Sequence, residues 1–328
     1  MWERIAAVLR GNDHFLITSH VRPDGDAICS MLALHRMLKE MRKVSRCALS
    51  DSAPTEFSFL YDPQELERLN MSTPLDEVRV VCALDVPGWG RLGEVGKRLE
   101  RLSAIKICLD HHPRPGSMVE LEVRDVEASA TAVLVYRLLR HLDLPLSLPV
   151  ANAIYTGILT DTMSFRLANT NAEAHEVTAA CIHAGVDPPA IYEVVYGTVS
   201  PARLKLTAQV LSTLGLTDDG RVAYLYATRE MYEQAGARQG DDEDLVEYAR
   251  SLGGVQIALF LRELKNGRVR ISWRARRDAD VSALARRFGG GGHVRAAGAD
   301  VPGPLDRVLK DVLAEASAQV SEADSISS

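Results

Sequence analysis

Several sequence features that mark special classes of protein are absent or scarce in this chain. No run of apolar residues reaches the roughly 20 needed for a helix to span a bilayer. The first ten residues form an amphipathic helix pattern without the continuous apolar core of a signal peptide. The net charge is −6, so the chain lacks the excess positive charge of a protein that coats long DNA. These absences lead us to expect a cytoplasmic protein with no membrane partner and no stable duplex DNA partner.

Cysteine is scarce and irregularly placed. There are five cysteines, an odd number, and no two of them form a C-x-x-C pair. This spacing favours buried, reduced thiols over a disulfide framework or a structural zinc site. The five positions are Cys29, Cys47, Cys82, Cys108 and Cys181.

The composition that is present is ordinary for a globular protein, since 46% of the 328 residues are hydrophobic and 25% are charged. At roughly 100–200 residues per domain, this length predicts two domains. In the first half, short apolar runs alternate with helical patterns, which predicts an α/β fold with a mostly parallel sheet covered by helices on both faces. The predicted strands are 15–18, 78–84 and 104–109, and the predicted helices are 27–39, 131–142 and 151–159.

The pattern changes where glycines and prolines interrupt the helices between residues 185 and 201. A second, smaller α/β unit follows, with predicted strands at 221–228, 255–263 and 268–276 and predicted helices at 242–252, 281–288 and 305–316. The last residues are polar and rich in serine, which predicts disorder. The expected segments are an N-terminal domain over 1–190, a linker with a connecting helix over 191–214, the smaller domain over 215–316 and a disordered tail over 317–328.

Four clusters of aspartate and histidine follow apolar elements, each at the point where the element ends. Because ligands bind at the carboxyl ends of parallel strands, we expect these side chains to share one site. Carboxylates packed together repel one another, and cations neutralise that repulsion. Oxygen and imidazole ligands suit Mn²⁺, Fe²⁺ or Zn²⁺, and a bridging carboxylate would serve two such ions well. The clusters are His20 with Asp24 and Asp26; Asp85; Asp110 with His111 and His112; and Asp161.

Each of these residues has an ordinary structural alternative. Asp24 or Asp26 suits the N-cap of a helix, and Asp85 suits the start of a turn before Pro87 and Gly88. A single histidine is more often a surface or core residue than a ligand. Four unrelated element ends would each need a separate explanation of this kind, so the joint pattern favours a metal site.

In the second unit, strand 268–276 alternates arginine with apolar residues, so one face is basic and the other packs. Arginine binds phosphate with two parallel hydrogen bonds, and consecutive glycine N–H groups can bind an anion. We expect this unit to hold the substrate's terminal phosphate or base in a cleft between the domains. The alternative for the arginine strand is a solvated charged face. The alternative for the glycine run is a flexible linker, which is less favoured because the V-R-A-A run that follows is compatible with a helix. The candidate substrate-binding residues are Arg262, Arg274, Gly291, Gly292 and His293.

Four motifs in the first half resemble those of the DHH phosphoesterase superfamily. They are H-V-R-P-D-G-D-A at 20–27, A-L-D at 83–85, D-H-H at 110–112 and T-G-I-L-T-D-T at 156–162. In addition, F-G-G-G-G-H-V-R-A-A-G at 288–298 resembles the signature of the DHH-associated substrate domain, so the resemblance covers residues 1–316. Two departures from the family pattern, Met163 in place of a common glycine and the segment Ser129-Ala130-Thr131, bear on substrate shape more than on chemistry.

The resemblance implies two Mn²⁺ ions, with Mg²⁺, Co²⁺ or Zn²⁺ as alternatives. It implies that Asp85 bridges the ions, that Asp110 orients its neighbours, and that His112 donates a hydrogen bond to the phosphoryl or leaving oxygen. The first implied ligand set is His20, Asp24 and Asp85, and the second is Asp26, Asp85, His111 and Asp161.

Order and length are most similar to the family's nanoRNases, which degrade very short oligoribonucleotides and dephosphorylate 3′-phosphoadenosine 5′-phosphate (pAp). The resemblance therefore implies a homodimeric hydrolase with those substrates. The open alternatives are a RecJ-like single-strand exonuclease, a phosphodiesterase for linear or cyclic dinucleotides, an inorganic pyrophosphatase and a non-catalytic nucleotide-binding regulator. The acidity and short chain count against the exonuclease, and the intact ligand set counts against the regulator.

Overall fold

The computed structural model describes residues 1–238, 240–242, 244–276 and 279–327. The chain divides into an N-terminal unit, Met1–Thr198, and a C-terminal unit, Val199–Ser328. This division falls inside the segment for which the sequence predicts a linker and a connecting helix. Each unit has its own sheet and its own buried core, so each is described by itself.

The N-terminal unit is built on a six-stranded sheet in which every neighbouring pair is parallel. Its strands are β1 (Phe15–Thr18), β2 (Ser45–Leu49), β3 (Leu66–Arg68), β4 (Val80–Leu84), β5 (Ile105–Asp110) and β6 (Leu121–Arg124). The spatial order is β3-β2-β1-β4-β5-β6, so the order reverses between β1 and β4. In sheets of this kind, ligands bind outside the carboxyl ends of the strands at the reversal point.

Helices cover both faces of this sheet. They are α1 (Trp2–Gly11), α2 (Gly25–Glu40), α3 (Gly96–Arg101), α4 (Thr131–His141), α5 (Leu148–Asp161), α6 (Ala172–His183) and α7 (Pro188–Tyr192). Short 3-10 helices lie at Thr55–Leu60, Pro63–Glu65 and Trp89–Val95, and a π-helical turn lies at Glu193–Gly197. Alternate residues of β1 enter different cores: Phe15 and Ile17 pack with α2, α4 and α5, whereas Leu16 packs with α3 and the 3-10 helix before it. The predicted parallel sheet covered on both faces is therefore confirmed.

The C-terminal unit contains a mixed six-stranded sheet. Its strands are β7 (Gly215–Leu216), β8 (Val222–Ala227), β9 (Ile257–Glu263), β10 (Arg268–Ala275), β11 (Gly291–His293) and β12 (Ala296–Pro302), in the spatial order β11-β12-β10-β9-β8-β7. Strands β8 and β9 run parallel, and the other neighbouring pairs are antiparallel. Helices α8 (Pro201–Leu211), α9 (Arg229–Ala235) and α10 (Leu245–Arg250) pack on one face, and α11 (Val281–Arg287) and α12 (Leu305–Ser327) pack on the other.

The last helix is longer than the sequence predicts. Helix α12 continues to Ser327, whereas the polar composition predicts a disordered tail from residue 317. Val320 is 1% exposed and packs in the core of the C-terminal unit one helical turn after Ala316, and Gln319 donates a hydrogen bond to the carbonyl oxygen of Asp280. The prediction of disorder from residue 317 is wrong because one buried apolar residue continues the helical stripe; residue 328 lies outside the described residues.

Cysteine burial agrees with the prediction. All five cysteines are buried and free. Burial raises the pKa of every thiol, to about 12 for Cys82 and Cys181, so the thiols remain protonated and unreactive. As a separate observation, no helix in the described part of the chain combines the length and the apolar character that crossing a membrane requires.

One buried histidine makes the stability of the N-terminal unit depend on pH. His35 in α2 is 3% exposed, and its Nδ1 lies 2.8 Å from the Oγ of Ser45. Burial, followed by the positive charge of Lys39, lowers the pKa of His35 to about 4, although Glu65 opposes the shift and Arg36 adds to it. The folded pKa lies below the unfolded value of about 6.5, so protonation favours unfolding. The stability that neutral His35 contributes to the folded state is therefore complete above about pH 6.5 and is lost as the pH falls towards about 4.

We expect the free energy of unfolding of the wild type, relative to a His35→Gln variant, to fall by about 2 kcal/mol between about pH 7.5 and about pH 5. Urea denaturation followed by circular dichroism at both pH values measures this difference. His183 is an exposed histidine, so His183→Gln is the matched control and should show no such change. An unchanged difference between wild type and His35→Gln at the two pH values would contradict a neutral, buried His35.

Candidate metal centre

A group of aspartate and histidine side chains comes together at the carboxyl edge of the parallel sheet. His20 follows β1 by two residues, Asp85 follows β4 directly, and Asp110 is the last residue of β5. Because β1 and β4 are neighbours at the point where the strand order reverses, the first two side chains meet there. The start of α2 adds Asp24 and Asp26, the chain after β5 adds His111 and His112, and the end of α5 adds Asp161.

The first group of potential metal ligands consists of His20, Asp24 and Asp85. The Nε2 of His20 lies 3.4 Å from Asp85 Oδ2 and 3.7 Å from Asp24 Oδ2. The Nδ1 of the same ring lies 3.0 Å from the carbonyl oxygen of Val21, which can only accept a hydrogen bond. A proton on Nδ1 leaves the lone pair of Nε2 directed towards the carboxylates, which is the arrangement of a metal-binding histidine.

Asp24 also has the structural role that the sequence allows, as the N-cap of a helix. Its Oδ1 accepts a hydrogen bond of 3.0 Å from the backbone N–H of Ala27, so Asp24 is the N-cap of α2. Its Oδ2 is the oxygen that faces His20. One carboxylate therefore caps the helix with one oxygen and presents the other to the site.

The second group of potential ligands consists of Asp26, His111 and Asp161. The Nδ1 of His111 lies 3.1 Å from the carbonyl oxygen of Ala128, so its Nε2 again carries the lone pair, 3.7 Å from Asp161 Oδ2. Asp26 is 1% exposed and lies at the start of α2. Each group therefore contains one imidazole and two carboxylates, and Asp85 is one of the two carboxylates of the first group.

Asp85 lies between the two groups with one oxygen towards each. Its Oδ2 faces His20, and its Oδ1 lies 3.6 Å from the Nε2 of His111. The backbone of Asp85 has φ +56°, in the left-handed region that costs a non-glycine residue roughly 1–2 kcal/mol. Its N–H donates 2.9 Å to the carbonyl oxygen of Leu109 on the neighbouring strand. Strain held at this position is consistent with a functional side chain.

The donor chemistry of this cluster fits divalent metal. The Nε2 atoms of two imidazoles face carboxylate oxygens, and either a cation between them or a proton on the ring satisfies this contact. Burial, and then the charge of Asp85, raises the pKa of Asp24 and of Asp26, and burial raises the pKa of Asp161 to about 6. For Asp85, burial acts in the same direction, but the contact with His20 and the charges of the nearby histidines hold its pKa below the usual value. Crowded carboxylates with raised pKa values are stabilised as anions when cations bind.

Asp110 and His112 form a hydrogen-bonded pair beside this cluster. Asp110 is fully buried, and its Oδ1 lies 2.9 Å from the Nδ1 of His112. The bond to Asp110 raises the pKa of His112 to about 9, more than burial lowers it. The His112 side chain is 36% exposed, and its Nδ1 lies 3.5 Å from Asp85 Oδ1, so it also belongs to a third overlapping group with Asp85 and His111. Within the described residues the other oxygen of Asp110 is buried without a hydrogen-bond partner.

Two further residues hold these carboxylates, and sequence reasoning assigned them no role. The hydroxyl of Thr131 donates 2.9 Å to Asp85 Oδ1. The amide nitrogen of Asn169 donates to Asp161 Oδ2 and to the carbonyl oxygen of Ser129, at 3.1 and 2.9 Å. The sequence points to Thr131 only as part of the segment Ser129-Ala130-Thr131, which departs from the family pattern, and no spacing pattern points to Asn169.

The two candidate arginines of the C-terminal unit are already paired with acids. Strand β10 alternates between half-buried and buried residues, as predicted. Arg262 in β9 is 9% exposed, and its Nη1 donates to both carboxylate oxygens of Asp242, at 2.8 and 2.6 Å. Arg274 lies 3.5 Å from the carboxylate of Glu247 on α10. The basic face is therefore partly neutralised within the unit.

The glycine run forms a hairpin, so the interpretation of V-R-A-A as a helix is wrong. Gly291–His293 pairs as β11 with β12, with Gly292 opposite Ala297. Gly292 has φ +146°, and an added Cβ would lie 2.5 Å from the carbonyl oxygen of Ala296. A Cβ on Gly290 would lie 2.1 Å from the carbonyl oxygen of Gly298. Only glycine allows the two strands to approach this closely, and β11 is left exposed at the edge of the sheet.

The fold and the site together define a two-unit α/β protein with a histidine–carboxylate centre suited to a divalent metal. The model of the DHH family, N-terminal domain, matches residues 14–158, and the model of the DHHA1 domain matches residues 219–322. The chain belongs to the DHH family, as its motifs predict.

Relatives of the chain cover nearly its full length. It is 34% identical over 317 residues to a bifunctional oligoribonuclease and PAP phosphatase NrnA from Thermus thermophilus, covering 95% of this chain and 93% of that protein. It is 25% identical to the protein of the same name from Bacillus subtilis, covering 92% of this chain and 94% of that protein. Among solved structures, an exopolyphosphatase-related protein from Bacteroides fragilis superposes with a TM-score of 0.89 at 29% identity, covering 96% and 94% of the two chains.

Proposed function

We propose that this protein is a two-metal phosphoesterase that hydrolyses very short oligoribonucleotides to mononucleotides and pAp to AMP. The observation that carries the proposal is the position of Asp85, whose two oxygens face two separate groups of histidine and carboxylate ligands. The names of the Thermus thermophilus and Bacillus subtilis relatives support the substrates. We propose Mn²⁺ as the metal and a homodimer as the assembly. The free, buried cysteines support a reducing compartment such as the cytoplasm.

In this proposal each ion has a separate ligand set that shares Asp85. His20, Asp24 and Asp85 hold one ion; Asp26, Asp85, His111 and Asp161 hold the other. Two divalent ions, when bound, supply Lewis-acid activation of water and of the phosphoryl oxygen. The protein contributes a framework of carboxylates, of which Asp26 and Asp85 are buried and held by hydrogen bonds from Thr131.

In the proposal, one residue beside the metal ligands, positioned by a second, donates a hydrogen bond to the substrate where negative charge develops. Asp110 keeps a proton on His112 Nδ1. In the metal-free protein the hydrogen bond to Asp110 raises the pKa of His112 to about 9, which favours the imidazolium form, in which the second ring nitrogen also carries a proton. We assign that N–H as the donor to the phosphoryl or leaving oxygen, where negative charge develops. Asp110 acts through His112 and is a positioning residue.

We assign the far end of the substrate to the C-terminal unit. The exposed edge strand Gly291–His293 offers backbone N–H groups close to its surface. Arg274 has a half-buried guanidinium and one acidic neighbour, which leaves donors for a phosphate. Arg262 belongs to the same assignment only through donors other than Nη1, since Asp242 occupies that nitrogen.

Hydrolysis of 5′-labelled RNA tests the function, with very short oligomers, a long single strand and pAp assayed in parallel, each with Mn²⁺ and with chelator. We expect metal-dependent release of mononucleotides from the short oligomers and of phosphate from pAp, with the long strand spared. Preference for the long strand would instead identify an exonuclease of the RecJ type. Tight nucleotide binding without turnover would identify a regulator.

Replacing Arg274 by alanine should raise KM for a short oligoribonucleotide roughly tenfold and leave kcat nearly unchanged, because the lost hydrogen bond contacts a non-reacting phosphate. Steady-state kinetics with saturating Mn²⁺ measures both constants. Arg268→Ala is the control on the same strand, since Arg268 bonds the carbonyl oxygen of Asp300 within the unit. A fall in kcat alone would contradict the assignment of Arg274 to substrate binding.

A further inference from the structure

Thr131 is the first residue of α4, is fully buried and contacts carboxylates of both ligand groups. Its backbone N–H donates 2.6 Å to Asp26 Oδ2, and its Oγ donates 2.9 Å to Asp85 Oδ1. These two aspartates lie 105 and 46 residues away in the sequence. A single buried residue thus bonds the carboxylate shared by the two groups and a carboxylate that belongs to the second group alone.

The hydrogen bond from the Thr131 N–H holds the Asp26 carboxylate at the N-terminus of α4. Ala130 at the N-cap of α4 has no side chain that can satisfy the first N–H groups of the helix. Asp26 takes this role from another helix: its Oδ2 accepts from Thr131 and its Oδ1 accepts from Ala132 at 2.9 Å. A carboxylate is also favoured at a helix N-terminus by the helix dipole. The position of Asp26 is therefore coupled to that of Thr131.

The hydroxyl contact controls the rotation of the Asp85 carboxylate. An ionised carboxylate can only accept hydrogen bonds, so Thr131 is the donor. With Thr131 on Oδ1 and His20 beside Oδ2, the plane of the carboxylate is set from both sides. That plane decides which oxygen faces the first group and which faces His111. Residues that orient metal ligands in this way commonly change metal affinity by roughly 10–100-fold.

We propose that Thr131 is a positioning residue that sets the relation between the two metal subsites, by orienting Asp85 through its hydroxyl and holding Asp26 through its N–H. This inference rests on the proposed two-metal function. It concerns ligand geometry, so metal binding is its direct readout. Thr131→Val removes the hydroxyl and keeps side-chain volume and the N–H, whereas Thr131→Ser keeps the hydroxyl.

The experiment titrates the metal-stripped full chain with Mn²⁺ by calorimetry and records the electron paramagnetic resonance spectrum at saturation. For the wild type we expect two ions per chain and the spectrum of an exchange-coupled Mn²⁺ pair. For Thr131→Val we expect at least one site weakened by roughly 10–100-fold and a changed or lost coupling signal. Thr131→Ser should bind like the wild type. Thr178→Val is the matched control, since that buried hydroxyl bonds a carbonyl oxygen of its own helix.

Wild-type affinity and an unchanged coupling signal in Thr131→Val would overturn the inference and leave the proposed function intact. Failure of the wild type to bind any Mn²⁺ would overturn the two-metal function itself. Circular dichroism and thermal melting of the metal-stripped proteins establish that each variant is folded. If Thr131→Val is unfolded, the smaller Thr131→Ala takes its place with the same two deciding outcomes.

Discussion

Replacing Asp85 by asparagine should reduce kcat for a short oligoribonucleotide by at least about 1000-fold, which corresponds to roughly 4 kcal/mol of transition-state stabilisation. The expected loss is large because Asp85 is 1% exposed and has one oxygen towards each ligand group. Asparagine keeps the shape of the side chain but removes the charge and one of the two acceptor oxygens. In the proposed two-metal site, this single change removes a ligand from both subsites. Steady-state kinetics with excess Mn²⁺ measures the effect.

The stability of the same variant separates loss of chemistry from loss of fold. In the metal-stripped protein, burial and then the charge of Asp85 raise the pKa of Asp24 and of Asp26, and both also raise the pKa of Asp161. Asp85 is also held by the hydroxyl of Thr131 and by the nearby histidines, so urea denaturation of metal-stripped Asp85→Asn beside the wild type establishes whether the variant retains its fold. Addition of Mn²⁺ should stabilise the wild type much more than the variant, because only binding to the folded state shifts unfolding.

Asp219→Asn is the control for this experiment, since Asp219 lies in the C-terminal unit and bonds only neighbours along the chain among the contacts that the structure describes. It should leave kcat and the stabilising effect of Mn²⁺ unchanged. Near-normal turnover by Asp85→Asn with metal still bound would show that the two ligand groups do not share this residue in catalysis.

Replacing Arg262 by methionine should lower the free energy of unfolding of the C-terminal unit by about 3–5 kcal/mol. Arg262 and Asp242 are both buried, and the pair is joined by two short hydrogen bonds. Loss of one partner leaves the other as an uncompensated buried charge, which costs more than the net value of the intact pair. Chemical denaturation of the full chain, with a probe of the C-terminal transition, measures the change.

The double variant Arg262→Met with Asp242→Leu tests the physical reason. Removing both charges together should recover most of the lost stability, because no buried charge then remains unpaired. Arg268→Met on the next strand serves as the single-arginine control and should cost well under 1 kcal/mol, as is usual for exposed polar contacts. Equal losses in the single and double Arg262 variants would show that the methylene packing of Arg262, and not the charge pair, stabilises this unit.

The double variant also separates two roles of Arg262. If it is stable and its KM for a short oligoribonucleotide is raised, Arg262 binds substrate in addition to pairing with Asp242. If it is stable with an unchanged KM, the contribution of Arg262 is structural and the substrate assignment reduces to Arg274 and the glycine hairpin. The buried pair makes this distinction necessary, since a single substitution would change folding and binding together.

The elements that the sequence predicted correctly are those with strong local patterns. Strands β1, β4 and β5 are short apolar runs, and α2, α4 and α5 follow them or flank them with helical periodicity. Strands with weaker patterns, such as β2, β3 and β6, are not evident in the sequence, because they are short and partly exposed at or near the sheet edge. The helical extension beyond residue 316 was missed for a related reason: Val320 alone continues the apolar stripe in a polar segment.

The hairpin after the glycine run shows the limit of local patterns most clearly. V-R-A-A is compatible with a helix by propensity, but Ala296 and Ala297 pair with β10 on one side and β11 on the other. Tertiary pairing overrides the local preference because the neighbouring strand offers a complete set of backbone partners. The glycines that suggested an anion-binding loop instead permit close approach of two strands, although the exposed edge remains available to a ligand.

The sequence by itself determined the parallel α/β fold and the residues that meet at its carboxyl edge. It could do so because strand ends, helix starts and side-chain chemistry are properties of short segments. Only the tertiary structure decided how each carboxylate is held: which oxygen of Asp85 faces which histidine, which residue fixes it, and which arginine already has an acidic partner. These contacts join residues that are far apart in the chain and follow no period, so packing of the folded chain alone sets their distances and angles.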